Sequence, residues 1–195
     1  TINSVDEDIK ELFTKWLDNE NDFAITKDIK EKLEDKLIPK ELKDLIDYVP
    51  ARTIWAIGGD GWAYDIGYGG IDHVLSTNSN INVLVLDTEV YSNTGGQSSK
   101  SSNIGSIASF TSSGKKNYKK DLARIALAYP NVYVACISLG ANPQTTIKVL
   151  NEAEKYNGPS LIIAYAPCIA QGILKGMKNS IMEEKNATES GYFPI

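Results

Sequence analysis

The stretch TIWAIGGDGW, residues 53–62, decides the fold. Its first half is apolar and β-branched or aromatic, and its second half is a glycine-rich turn, so a buried strand runs directly into a turn that opens a helix. Three further short apolar runs, at 82–86, 132–138 and 160–164, repeat the strand signal. Helical periodicity fills the gaps at 65–75, 122–128 and 143–156. Tyr129-Pro130 stops the second helix and Asn157-Gly158-Pro159 the third. Strands that are apolar throughout and alternate with helices specify an α/β fold, a parallel sheet with helices on both faces. Ligands in such sheets bind beyond the carboxyl ends of the strands. The segments to question are therefore 58–62, 87–97, 139–143 and 166–172.

Residues 1–50 have a different texture. They carry 14 acidic and 8 basic side chains, and their apolar residues recur at helical spacing (Ile9, Leu12, Phe13, Trp16; Ile29, Leu33, Leu37). Helices are expected at 5–17, 26–37 and 40–46, the second starting at Thr26. The chain thus divides into a charged helical segment, 1–50, and an α/β domain, 51–195. Over all 195 residues it is 42% apolar and 23% charged, with a formal charge of −5, which argues against a general nucleic-acid or anionic-membrane binder. No apolar run reaches a membrane span and the opening residues lack a signal-peptide layout. Two cysteines, Cys136 and Cys168, are too few for a disulfide scaffold, so a cytoplasmic setting is expected.

Two stretches carry chemistry. Gly58-Gly59-Asp60-Gly61 fits neither G-x-G-x-x-G nor a P-loop. Glycines let a backbone approach an anion, but Asp60 repels a bare pyrophosphate unless a divalent cation stands between them. Mg²⁺ suits that place, since it takes about six oxygens and few protein carboxylates. Alone, the tetrapeptide reads equally as a strand–helix turn with a capping Asp. The second stretch, DTEVYSNTGGQ at 87–97, follows the next strand. Adjacent parallel strands bring Asp60 and Thr88 to one sheet edge, where a hydroxyl serves as second metal ligand and a loop carbonyl as third. The Ser/Asn/Thr/Gly run then offers donors to phosphate oxygens.

GGDGWAYDIGYGGIDHVL followed by NVLVLDTEVYSNTGGQ resembles the C-terminal thiamine-diphosphate-binding domain of the pyruvate:ferredoxin (flavodoxin) oxidoreductases, with similarity over about 52–193. The resemblance implies that Asp60, the Thr88 hydroxyl and the Val90 carbonyl bind Mg²⁺. It implies that Gly59, Asp60, Gly61 and Trp62, with Thr88, Glu89, Val90, Tyr91, Ser92 and Asn93, hold thiamine diphosphate. Thr88 stands where the wider thiamine-enzyme motif has Asn. Asn93 is assigned to the reacting centre, although its loop position serves diphosphate binding equally well. Cys168, in Ala-Pro-Cys just past a strand end, would give one thiolate to a [4Fe–4S] cluster whose other cysteines lie upstream.

The same resemblance implies a piece of a much longer polypeptide, homodimeric when complete. That enzyme would oxidatively decarboxylate pyruvate with coenzyme A and pass electrons to ferredoxin or flavodoxin. The glutamate that faces the cofactor's pyrimidine ring would come from a partner domain, so the piece alone is expected to be inactive. Related 2-oxo acid:ferredoxin oxidoreductases, non-redox thiamine decarboxylases or carboligases, and a binding module that has lost the reaction remain as alternatives. Three weaker signals have bland readings. His73 reads as a packing residue or an acid–base group, and Cys136 as an inert strand thiol. The cluster Lys115, Lys116, Lys119 and Lys120 reads as a solvated face, or as a meeting point for coenzyme A phosphates or an acidic ferredoxin. Segment 91–117 is long, polar and Ser/Gly-rich, as functional or mobile loops are.

Overall fold

A computed structural model describes residues 6–171, 173 and 175–195. The expected helix start at residue 5 and Gly172, at the end of one questioned segment, lie outside them. The chain forms two compact units, one up to Thr53 and one spanning Ile54–Ile195.

In the first unit, α1 (Glu7–Asp18) and α2 (Phe23–Glu34) bury Ile9, Ile29 and Leu33 with Val49, flanked by Leu12, Phe13 and Trp16. The Trp16 indole donates to the Val49 carbonyl at 2.6 Å. Helix α2 starts three residues before the expected Thr26. Asp22 is its cap, accepting from the Ile25 amide at 2.9 Å, while the Thr26 hydroxyl accepts from the Ala51 amide at 2.8 Å. Leu37, expected on the buried stripe, lies beyond the helix and is 97% exposed. The third helix is also shorter than expected, with α3 ending at Lys43 (Lys40–Lys43) and a 3₁₀ turn at Ile46–Tyr48. Because the cap satisfies one of the helix's orphan amides, Asp22→Ala should destabilise the first unit by about 1 kcal/mol. Denaturant unfolding checks this, and an unchanged midpoint would count against the cap.

The second unit holds four parallel strands in the order β1 (Trp55–Gly59), β2 (Asn82–Asp87), β6 (Ser160–Tyr165), β5 (Tyr133–Ile137). All four expected strands are present, within two residues at each end. One face packs Val83, Val85, Leu161 and Ile163 against α4 (Tyr68–Ser76), α5 (Leu122–Ala126) and α7 (Ser180–Glu189), through Ile71, Leu75, Leu122, Ala126 and Ala187. The other packs Ile137 and Ile162 against Val149 and Ala153 of α6 (Pro143–Lys155). Helices on both faces explain why β6 is apolar at successive positions, and full burial of Leu161 or Ile162 stabilises by about 1.5–3 kcal/mol each. Asn142 caps α6 and Asp121 caps α5, each accepting an amide at 2.9 Å.

The helix after β1 begins at once, not at residue 65. Residues Gly61–Ile66 form a π-helical turn, with the Gly67 amide donating to the Trp62 carbonyl at 2.8 Å. Such turns recur at functional sites. A Cβ on Gly58 or Gly67 would overlap the Trp62 indole, so the ring packs inward in the space that those two glycines leave. After β2, segment 91–117 is ordered by hydrogen bonds. Strands β3 (Val90–Tyr91) and β4 (Gln97–Ser98) pair antiparallel, and Lys115 Nζ donates to the carbonyls of Ser99 (2.9 Å) and Ser102 (2.5 Å). Among the described residues no helix is long and apolar enough to cross a membrane.

Candidate functional site

Sheet register brings the two motifs together. Gly59 pairs with Leu86, so Asp60 and the Asp87–Val90 tip leave the same edge side by side. There the Thr88 Oγ1 stands 2.8 Å from Asp60 Oδ1, 2.9 Å from the Val90 carbonyl oxygen and 3.0 Å from Ser92 Oγ. Thr88 has one proton for two acceptors, the Asp60 carboxylate and the Val90 carbonyl, so one of these short oxygen–oxygen contacts has no hydrogen of its own. Asp60 is 1% exposed and no basic side chain pairs with it among the described residues. Burial, with a smaller contribution from Asp87, raises its pKa above the ordinary 3.8, against the hydrogen bonds from Ser99 and Thr88. A surplus of hard oxygen acceptors around a buried carboxylate with no counter-charge among the described residues is an arrangement that a divalent cation would fit. An octahedral Mg²⁺ with ligands at about 2.1 Å sets neighbouring oxygens about 3 Å apart, which the Thr88–Asp60 and Thr88–Val90 spacings match.

The tip is held in a costly shape. Glu89 is a non-glycine residue at φ 63°, a conformation worth roughly 1–3 kcal/mol of strain, and it turns the chain so that the Val90 carbonyl faces back to Thr88. Glu89, expected among the cofactor contacts, has its polar atoms engaged within the chain. Its side chain accepts from Lys119 (3.0 Å), Asn103 (3.1 Å) and Tyr192 (2.5 Å), its carbonyl from the Ser102 hydroxyl, and its amide donates to Asp87 (3.1 Å). Every polar atom of Glu89 thus has a partner within the chain. Asp87, fully buried, accepts from Lys119 (2.9 Å), Tyr64 (3.0 Å) and the Ser101 hydroxyl.

Of the remaining predicted residues, Gly59 is exposed, and a Cβ there would meet only the Leu86 carbonyl oxygen, at 4.0 Å. Gly61 instead makes room for Tyr91, whose ring a Cβ would overlap. Asn93 is exposed, and its side chain makes no hydrogen bond with the described residues. Cys168 is half-buried past the end of β6, its sulfur 3.5 Å from the Ala170 amide. Among the described residues no group of three or more His, Cys, Asp or Glu side chains could hold a metal ion, so Cys168 does not sit in a ready-made cluster site. His73 is exposed. Cys136 lies mid-strand against the core, where burial raises its pKa.

The lysine cluster is corrected as well. Lys119 is an inward ion pair, Lys115 binds carbonyls, and Lys120 donates to the Tyr64 carbonyl (3.1 Å) and lies over the Tyr68 ring; only Lys116 is exposed. The site also depends on Ser99, Ser101 and Ser102, which the sequence reading passed over. Each is buried, and their hydroxyls donate to Asp60, Asp87 and the Glu89 carbonyl in turn. The available signal was an imbalance: acids at the strand tips needing donors, followed by a serine-rich run within reach.

Residues 42–164 match the model of the thiamine pyrophosphate enzyme, C-terminal TPP binding domain, and the chain belongs to that family. Within it, the chain is similar to pyruvate:ferredoxin oxidoreductase of Moorella thermoacetica, 57% identical over 80% of this chain, and to pyruvate-flavodoxin oxidoreductase of Klebsiella pneumoniae, 45% identical over 98%. It spans 14% and 17% of those two proteins' own lengths. The fold is shared with 2-oxoglutarate:ferredoxin oxidoreductase from Magnetococcus marinus, whose structure has 2-oxoglutarate, coenzyme A and succinyl-CoA bound. That match has a TM-score of 0.54 at 22% identity, over 63% of this chain and 42% of that one.

Proposed function

We propose that this chain is the portion of a pyruvate:ferredoxin- or pyruvate:flavodoxin-type oxidoreductase that holds thiamine diphosphate through one Mg²⁺. The observation that carries the reading is the acceptor surplus at Thr88, with a buried carboxylate that no basic group neutralises. Asp60 Oδ1, Thr88 Oγ1 and the Val90 carbonyl are the protein's metal ligands. Ser99 holds the other Asp60 oxygen, which keeps Oδ1 turned toward Thr88. Gly59, exposed and without a side chain, lets the diphosphate approach the backbone. Asn93 offers a free amide to the substrate end. When bound, thiamine diphosphate supplies the electron sink that lets a 2-oxo acid lose CO₂.

The complete polypeptide would oxidise pyruvate in the presence of coenzyme A and pass the electrons through [4Fe–4S] clusters to ferredoxin or flavodoxin, in the cytoplasm. One thiolate holds no such cluster, so Cys168 acts as a ligand only together with cysteines from elsewhere in the polypeptide. The identities of 57% and 45% to pyruvate enzymes, and the unpaired state of both cysteines, support this reading.

A thermal-shift titration of the chain tests the metal bridge. Mg²⁺ alone and thiamine diphosphate alone should move the midpoint little. The two together should move it by several degrees, as about 2.7 kcal/mol of linkage at 100 times Kd requires. An equal shift with thiamine diphosphate in excess chelator would overturn it.

A further inference from the structure

Two carboxylates, Asp87 and Glu89, flank the proposed metal ligand Thr88 on either side in sequence, and both are buried. Left alone, two anions that close repel each other and pull Thr88 with them. Lys119 stands between them, its Nζ 2.9 Å from Asp87 Oδ2 and 3.0 Å from Glu89 Oε1. It reaches the tip from the far end of the polar loop, 32 and 30 positions away. Tyr64, Ser101, Asn103 and Tyr192 also donate to the two carboxylates, so the network is built around one ammonium. Burial by itself would lower the Lys119 pKa, but the two carboxylates outweigh it and raise it above the ordinary 10.5, keeping the group charged.

We propose that Lys119 is a positioning residue for the metal site: by clamping Asp87 to Glu89 it fixes the tip so that the Thr88 hydroxyl and the Val90 carbonyl stand beside Asp60. The clamp also holds Glu89 in its left-handed conformation, the turn that aims the Val90 carbonyl at Thr88. Lys119 is not itself one of the proposed metal ligands. Its role rests on the reading of Asp60, Thr88 and Val90 as metal ligands, and it adds what sets the site's metal preference. Mg²⁺ demands near-ideal octahedral geometry, whereas Ca²⁺ accepts longer and less regular contacts. A tip freed from its clamp therefore loses Mg²⁺ more than Ca²⁺.

The test measures thiamine diphosphate retention by the full-length protein against Mg²⁺ and, separately, Ca²⁺. Lys119→Met should raise the half-saturating Mg²⁺ concentration about 10- to 100-fold, the usual effect of losing an outer partner of a metal site. The Ca²⁺ requirement should rise less than about threefold, so that the preference between the two ions collapses. Lys119→Arg should restore Mg²⁺ binding to near wild type, since a cavity of about 290 Å³ beside Lys119, lined also by Tyr64, Glu89 and Tyr192, leaves room for the larger head group. A merely structural lysine would reduce retention with both ions equally through loss of folded protein, and equal changes or no change would overturn the proposal. If Lys119→Met does not fold, the charge-balanced pair Lys119→Met with Glu89→Gln carries the same expectation. Absence of any metal-dependent retention in the unmodified protein would instead overturn the metal-site reading, and the clamp with it.

Discussion

Replacing Asp60 with asparagine abolishes metal-dependent cofactor retention and makes the metal-free protein more stable at neutral pH. The loss should be roughly 100-fold or more in apparent affinity, because a direct ligand is removed and even an outer partner is worth 10- to 100-fold. The gain has the same origin. Asp60 is a buried carboxylate with two hydroxyl partners and no counter-charge, and a neutral amide of the same shape removes the burden of burying that charge. For a chain of this size, each ~1 kcal/mol gained raises the midpoint about 2–4 °C. Equilibrium dialysis of cofactor with Mg²⁺ and a melting curve without it read the two effects on one sample. Cofactor retention at the wild-type level would remove Asp60 from the site.

The pH dependence has a definite sign. Burial raises the Asp60 pKa in the folded, metal-free protein above its ordinary 3.8, so the folded state binds the proton more readily than the unfolded state does. The contribution is fully present below 3.8 and is lost as pH rises from there through the folded pKa. Metal-free wild type should therefore fall in stability relative to Asp60→Asn across that window, and saturating Mg²⁺ with thiamine diphosphate should cancel the difference. Parallel stability curves for the two proteins would show that burial does not perturb this carboxylate.

The parts of this molecule that were legible in sequence are those governed by local pattern. β2 and β6 read as buried strands because successive apolar residues meet helices on both faces. The Asp60–Thr88 pairing was legible because the first two strands of a βαβ unit lie side by side, as β1 and β2 do here. What pattern misses is where a polar side chain finds its partner. Asp22 and Thr26 are both good caps, and only the tertiary bond from Ala51 to the Thr26 hydroxyl decides between them. Ser99, Ser101 and Ser102 have the composition of a solvated loop, yet they are buried because three strand-tip groups consume their hydroxyls. Lys119 shares a short basic run with exposed Lys116, and nothing local distinguishes the ion-paired residue from the solvated one. The glycines show the same limit. Their number near Asp60 was legible, but that two of them make room for the rings of Trp62 and Tyr91 was not.

That last assignment leads to a second large effect. Gly61→Ala should destabilise the second unit by about 1–3 kcal/mol, the range for forcing atoms into a packed site, although alanine is a better helix former than glycine. The added Cβ would stand 2.5 Å from Tyr91 Cδ1 and nearer still to Cε1. The ring cannot simply swing aside, since its hydroxyl donates to the Gly61 carbonyl at 3.3 Å and its backbone pairs with Gln97 in the β3–β4 ladder. Moving Tyr91 moves Val90, so the Val90 carbonyl leaves Thr88 and Mg²⁺-dependent cofactor retention weakens as well. Tyr91→Ala removes the obstruction, and in the double variant the alanine at 61 should be tolerated, with a coupling of about 0.5–3 kcal/mol in a double-mutant cycle. Denaturant midpoints of the two single variants and the double variant provide the cycle. Strict additivity would mean that Gly61 is needed for its own backbone conformation and not for the ring above it, and the glycines of the Gly58–Gly61 turn would then return to their simpler role as room for an anion.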